Sequence, residues 1–357
     1  MFQTAILEQI QDLKKSLEWK TNERQINTKI ESRPEEVDLR KLDSSLKKNT
    51  AFVRKIKTFT ESQKSSIIKD INGLNLTKYI GEVAAAVTEA KLKMNDVQSL
   101  LEICSVLHQK YAEFSASLME NWKKCLGQQK GQSSPINPSK LRVDIRLYCD
   151  LISIGILTTK ESLPILGGLL TTLTNIPDDL SSTGIILTFC RYCGHDFANL
   201  LPRKLRLHLE ENPDPDFDKF GRLLPIEKQK NVQQLLKDYY GNIVKKYAKD
   251  YKEMKLVEKT NYRILMTKGE VFAERKKKLE DLSAAFKKLQ SHVEQLSDFL
   301  DQDMPQLQDE EENLAKGLDN DDNDMEVGEE SSPDSLGALN EPNSKIFKEY
   351  HFSEISS

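Results

Sequence analysis

The chain has 357 residues, 38% of them apolar and 30% charged, with only 15 glycines and a formal net charge of −4. So much charge suits helices with wide solvated faces better than a compact α/β enzyme. No G-x-G-x-x-G and no G-x-x-x-x-G-K-S/T occurs, which removes the two commonest phosphate-cradling loops. The five cysteines have no framework spacing, and the first stretch, MFQTAILEQIQDLKKSLEW, carries charges inside its apolar pattern, unlike a signal peptide. No run approaches the ~18 apolar residues of a membrane span. A reduced cytoplasmic protein is expected, with a perinuclear or nuclear location also open, and with no membrane partner.

Ile6, Ile10, Leu13 and Leu17 recur at helical spacing and predict an opening amphipathic helix. After Pro34, a second helical pattern carries Leu39, Leu42, Leu46, Val53 and Ile56, and Asn and Gly within Ile71–Tyr79 break it. The next helix has a small-residue face, Ala84 to Ala86, which invites a close neighbour. Asn95 is a candidate N-cap for a helix burying Val97, Leu100, Leu101, Cys104 and Leu107. Leu118, Trp122 and Leu126 mark the following helix, and the polar Gly127–Ser139 stretch reads as a surface loop. Beyond it, Leu141, Ile145, Tyr148, Cys149 and Ile152 share a face, and Pro164 falls near the first turn of the next helix. Asp178 and Asp179 then suit a turn that caps a helix ended by Pro202. Two long charged helices follow, roughly 226–266 and 270–299. The second spaces Leu279, Leu282, Phe286, Leu289, Val293, Leu296 and Leu300 in near-heptad fashion, the pattern of a helical hairpin or short coiled coil.

From Gln306 onward there are fifteen Asp/Glu against three Lys, a balance of −12, so the rest of the chain is +8. The apolar periodicity ends there, and an acidic disordered tail is expected over 307–357. Such a tail could compete for whatever acidic ligand the basic body attracts. Ser331, with Asp334 three residues on, is a candidate for an acid-directed kinase. No segment alternates with period two, so no sheet is expected. Six helices between residues 75 and 200 give pairs of about forty residues, in the range of HEAT repeats. The expected fold is all-α: a HEAT-like α-solenoid of antiparallel helical hairpins, because each pair must stack on a neighbour to bury its apolar face.

The stretch FCRYCGHDF (Phe189–Phe197) holds the most reactive-looking residues. On a wheel of about 100° per residue, Ile186, Phe189, Cys190, Cys193, Phe197 and Leu200 fall on one arc, and His195 points away. Structural zinc needs four ligands, and no second C-x-x-C exists; Cys149 is the other nearby candidate. A redox pair would gain its low thiol pKa at a helix N-terminus, whereas helical pattern precedes Cys190 here. Core packing by Ile186, Phe189, Cys190, Cys193 and Phe197 is the preferred reading over metal or redox chemistry. His108, His208, His292 and His351 form no i, i+4 pair, and no G-x-S-x-G occurs. No catalytic residue, metal, cofactor or small-molecule substrate is expected. Basic groups offer the better lead: Lys140, Arg142 and Arg146 after the loop, Arg203, Lys204 and Arg206 after Pro202, and Arg275 to Lys278. Arg142, Arg146, Arg203, Lys204 and Arg206 are candidate RNA-phosphate contacts, since phosphates ask only for positive charge. Solvated helix faces are the plainer alternative.

KLDSSLKKNTAFVRKIK (Lys41–Lys57), GLNLTKYI, EAKLKMNDV, SKLRVDIRLYCDL, FCRYCGHDF, LPRKLR and YRILMTKGE follow one another in this sequence. Together they resemble the domain family named after the middle domain of eukaryotic initiation factor 4G, in the form found in scaffolds of nonsense-mediated mRNA decay. The resemblance implies a HEAT-like solenoid and a non-catalytic role that docks protein partners of the mRNA surveillance complex. It spans roughly 1–306, divided into an N-terminal helical extension, 1–60, and the solenoid domain, 61–306. The scaffolds also carry later domains that bind a junction partner and a helicase; this sequence matches neither, so no such residue is carried over. A fragment, a short splice form and a divergent gene product are all compatible with that, and a short form is expected to compete with the full scaffold.

Overall fold

The computed structural model describes residues 2–127, 137–175, 180–214, 217, 220 and 222–307. The expectations for Asp178–Asp179, for most of the 127–139 loop, for Ser331 and for the acidic tail lie outside these residues. Among the described residues the chain is helical, with no strand; the one β contact is an isolated bridge between Asp43 and Leu74.

In chain order the helices are α1 (Phe2–Thr28), α2 (Glu36–Arg40), α3 (Leu46–Lys57), α4 (Lys64–Gly73), α5 (Ile80–Glu89), α6 (Asp96–Lys110) and α7 (Phe114–Gly127). Then come α8 (Pro138–Ser153), α9 (Thr159–Thr174), α10 (Leu180–Tyr192), α11 (Gly194–Ala198), α12 (Arg203–Glu211), α13 (Ile226–Lys268) and α14 (Ala273–Leu300). Packing follows an i, i+2 rule. Helices α3, α5, α7 and α9 stack side by side in one layer, and α4, α6, α8 and α10 in the other. This is the two-layer solenoid expected from pairs that cannot bury their apolar faces alone. The α13–α14 pair closes its end, with α13 against α9 and α11, and α14 against α10 and α12.

The core lies between the layers. Trp122 and Tyr148 meet there at 5.5 Å between ring centroids, both fully buried. Ala84 and Ala86 of the small-residue face are buried where α5 packs on α3 and α7. Residues 1–304 form one compact unit. Helix α1 lies against α6, α8 and α12.

Local departures from expectation have local causes. The Asn95 side chain makes no cap; Asp96 instead accepts the backbone N–H groups of Lys93 and Glu61, pinning the α5–α6 turn to the loop before α4. The helix expected to run to Pro202 breaks at Cys193 and ends at Ala198. Gly194 allows Leu200 to close over it, with the Leu200 N–H donating to the Gly194 carbonyl at 3.0 Å, while Asn199 takes the left-handed conformation that turns the chain (φ 49°).

Candidate docking surface

The cysteine stretch is interior. Ile186, Phe189, Cys190, Cys193 and Phe197 are all buried, and the Phe189 and Phe197 rings lie 6.2 Å apart. The helix break leaves the backbone bonds Cys193 N–H to Phe189 carbonyl and Phe197 N–H to Cys193 carbonyl in place, so the inward arc survives it. Cys149 of α8 hydrogen-bonds to Cys193; its thiol is pushed well up, first by burial and then by that bond. Burial pushes Cys190 up to about 12. Burial thus favours the protonated form of Cys149 and Cys190, whereas thiol exchange proceeds through the thiolate. Among the described residues, no His, Cys, Asp or Glu group is arranged to hold a metal ion. His195 is half-exposed with Nδ1 3.5 Å from Asp196.

Beside this core lies a buried ionic centre that the apolar pattern does not announce. The ammonium of Lys20, on α1, sits 2.8 Å from Asp150 of α8 and 2.9 Å from Asp196 of α11. Burial alone would lower the Lys20 pKa, but the two carboxylates outweigh it and raise it. Burial likewise opposes ionisation of Asp196, and Lys20 with His195 overcomes it, holding that carboxyl below the usual range. Ser153 donates to Asp196 at 2.8 Å, and the Gln229 side chain of α13 donates to the Asp196 backbone carbonyl. Farther along α1, the Arg24 guanidinium donates to the Ser153 carbonyl and the Asn27 amide to the Ile154 carbonyl, while the Ser105 hydroxyl of α6 donates to Glu23 at 2.5 Å and lies 2.9 Å from the Asn27 side-chain oxygen. His108 is buried with Nε2 3.2 Å from the Asn27 carbonyl; burial first, then Arg33, lowers its pKa. Helix α1 is therefore held to the even-numbered layer by its polar face as much as by Ile10 and Leu17.

The basic residues expected to meet RNA phosphates are mostly engaged within the protein. Arg146 donates to the Met94 carbonyl at 2.7 Å, lies 4.2 Å over the Tyr192 ring and keeps 15% of its side chain exposed. Arg142 is half-buried across α10, where a Cβ at Gly184 would collide with its guanidinium, and its charge reaches His292 on α14. Lys140 bonds both Asp144 and the Thr88 carbonyl. Arg203 pairs with Asp301 at 2.9 Å and Asp303 at 3.4 Å, and Arg206 with Glu210 and Asp301, joining α12 to the end of α14. Lys204 is exposed on the same helix.

Exposed positive charge instead collects at the outer end of the terminal hairpin. The apolar burial of α13 ends at Tyr247 and that of α14 begins at Phe286, so the 248–285 portion projects as a thin two-helix arm. Tyr247 and Phe286 stack at its base, 4.9 Å between centroids. Within the arm, Asn261 is buried in the seam and donates to the Arg275 carbonyl at 3.2 Å, fixing the register of the two helices. Gly269, in the left-handed conformation (φ 76°), ends α13 and starts the turn. Lys259, Arg263, Lys268 and the run Arg275 to Lys278 are all exposed and carry no ion pair among the described residues. Tyr262 (59% exposed), Met266 (64%) and Phe272 (63%) stand among them.

The described residues thus build a two-layer helical solenoid with a buried ionic centre, a sealed thiol core and a projecting basic arm. The MIF4G domain model matches residues 46–212, and together with the match to a solved MIF4G domain this shows that the chain belongs to the MIF4G domain family. Among solved structures it is similar to the first MIF4G domain of the human nonsense mediated decay factor UPF2. That match is at 37% identity with a TM-score of 0.79, over 85% of this chain and 99% of that one. It is 41% identical to human regulator of nonsense transcripts 2 over 78% of this chain and 22% of that protein. Against the Arabidopsis thaliana regulator of nonsense transcripts UPF2 it is 30% identical, over 84% of this chain and 25% of that protein. The chain thus spans about a quarter of the length of these relatives or less.

Proposed function

We propose that the chain is a non-catalytic adaptor module of nonsense-mediated mRNA decay that docks protein partners of the mRNA surveillance complex in the cytoplasm. The observation that carries this reading is the match over 99% of the first MIF4G domain of human UPF2. The buried, protonated thiols and the internally consumed polar groups agree with it, because they leave the interior to hold shape and the surface to meet partners. The test is affinity purification of the full chain from nuclease-treated extract. Retention of surveillance factors is expected; their complete absence, with the chain folded and recovered, would sink the proposal.

A second reading, RNA contact through basic helical surface, is favoured by the unpaired cations of the α13–α14 arm rather than by Arg146, Arg203 and Arg206, whose charges are already met. Salt separates the two readings. Phosphate contacts weaken steeply between low and moderate salt, and docking with an apolar centre does not.

A further inference from the structure

We propose that the outer end of the α13–α14 arm is a binding site for single-stranded RNA, with Lys259, Arg263 and Arg275 to Lys278 holding phosphates while Tyr262 and Phe272 stack bases. The inference goes beyond the adaptor reading and does not depend on it.

Charge is the first support. Between Lys259 and Lys278 the sequence has seven Lys/Arg and two Asp/Glu, a local balance of +5 in a chain whose total is −4. Neutralised surface cations would attract nothing, but these seven have no acidic partner among the described residues. The contrast with Arg203 and Arg206, each paired twice, shows that the excess is a feature of this arm and not of basic residues in general.

Geometry is the second. At about 100° per residue, Lys259, Tyr262, Arg263 and Met266 fall within one arc of roughly 100° on α13. Asn261 and Ile264 lie outside that arc, and Asn261 is buried against α14, so the arc faces away from the seam. A ring flanked by cations at helical spacing is what a flexible polyanion with flat bases requires: charges for the backbone and a π-face for the base. Phe272 supplies a second ring at the turn, next to Arg275 in the first turn of α14. The arm holds these groups roughly 12–24 Å beyond the Tyr247–Phe286 stack, taking 1.5 Å per residue along the two helices, clear of the packed layers.

The same surface suits an acidic protein helix less well. A docked helix needs a continuous apolar groove, whereas four consecutive cations, Arg275 to Lys278, wrap most of the way round α14. The consecutive placement gives charge in every direction, as backbone tracking without sequence readout demands.

The experiment is fluorescence anisotropy of a labelled oligouridine of about 12 nucleotides with the full chain, at low and moderate salt, beside an acidic amphipathic peptide of similar length. Binding that falls with salt is expected. Lys276→Ala with Lys277→Ala and Lys278→Ala should flatten the log–log salt slope by about 2, at roughly 0.7 for each single-strand phosphate that is no longer neutralised. Tyr262→Ala with Phe272→Ala should weaken binding about tenfold or more and leave that slope unchanged. Both variants change exposed side chains, and an unaltered helical spectrum confirms that the fold persists. RNA binding that neither variant alters overturns the proposal, as does no binding at low salt. Binding of the peptide alone also overturns it, in favour of protein docking. None of these outcomes bears on protein retention in nuclease-treated extract, so the adaptor reading fails or stands separately.

Discussion

Replacing Lys20 with Met tests the claim that a buried charge centre, as much as an apolar stripe, secures the first helix. The substitution keeps the stem of the side chain and removes the ammonium between Asp150 and Asp196, whose side chains are 5% and 7% exposed. Two carboxylates then remain buried side by side. Arg146, 3.5 Å from Asp150, offsets part of the loss. Removing one partner of such a centre costs about 3–5 kcal/mol because the remaining charge is left uncompensated. At about 2–4 °C per kcal/mol, the melting temperature should fall by roughly 6–20 °C. The effect should be constant across neutral pH. The raised Lys20 pKa means its contribution is complete below its unfolded value of about 10.4 and is lost only as pH rises through the higher folded one. The depressed Asp196 pKa gives the acid limit: its contribution is complete above about pH 3.9 and is lost as pH falls through the lower folded value. Urea denaturation followed by circular dichroism measures the cost. Adding Asp150→Asn and Asp196→Asn to Lys20→Met should recover most of it, since neutral groups of the same shape remove the two uncompensated carboxylates, and Arg146 keeps the Met94 carbonyl as a partner. A single-variant loss below about 1 kcal/mol, or a triple variant no better than the single, would refute the reasoning.

Burial raises the Asp144 carboxyl to about 6 despite Lys140, so stability on its account is fully present below about pH 3.9 and is lost as pH rises through about 6. Asp144→Asn should therefore stabilise the protein by about 1–3 kcal/mol at pH 7.5 and change little at pH 4, measured by urea midpoints at the two pH values. Gly184→Ala should cost about 1–3 kcal/mol by forcing Arg142 off α10, and Gly184→Ala with Arg142→Ala should cost less than the two single changes summed. Thiol titration of the folded chain should show Cys125, the one cysteine that is not fully buried, reacting ahead of Cys104, Cys149, Cys190 and Cys193, with all five reacting once urea is added. Rapid modification of Cys190 or Cys193 in the native state would contradict the sealed core.

Much of the fold was legible because helical spacing of apolar residues is a local signal. The inward arc of Phe189, Cys190, Cys193 and Phe197 can be drawn from the wheel alone, and the layers bury it. The heptad-like run from Leu279 to Leu300 likewise foretells a helical hairpin, realised by α13 and α14. Lys20, Arg24 and Asn27 were illegible because a wheel reads polar residues as solvent-facing; their partners are Asp150 and Asp196 for Lys20, the Ser153 carbonyl for Arg24 and the Ile154 carbonyl for Asn27, all more than a hundred residues away. The break at Cys193 depends on Leu200 closing over Gly194, a tertiary contact. The fate of the arginines has the same cause. Nothing near Arg203 shows that Asp301 and Asp303 will arrive at the far end of α14 to neutralise it. The Arg275 to Lys278 run was visible as charge, but Tyr262 joins it only because Gly269 folds the chain back.

The most direct measurement for the adaptor reading is the half-life of an mRNA carrying a premature stop codon, compared with a matched transcript lacking it, in cells with and without this chain. The account predicts that depleting the chain changes the ratio of the two half-lives and that restoring it returns the ratio. An unchanged ratio under complete depletion would contradict it.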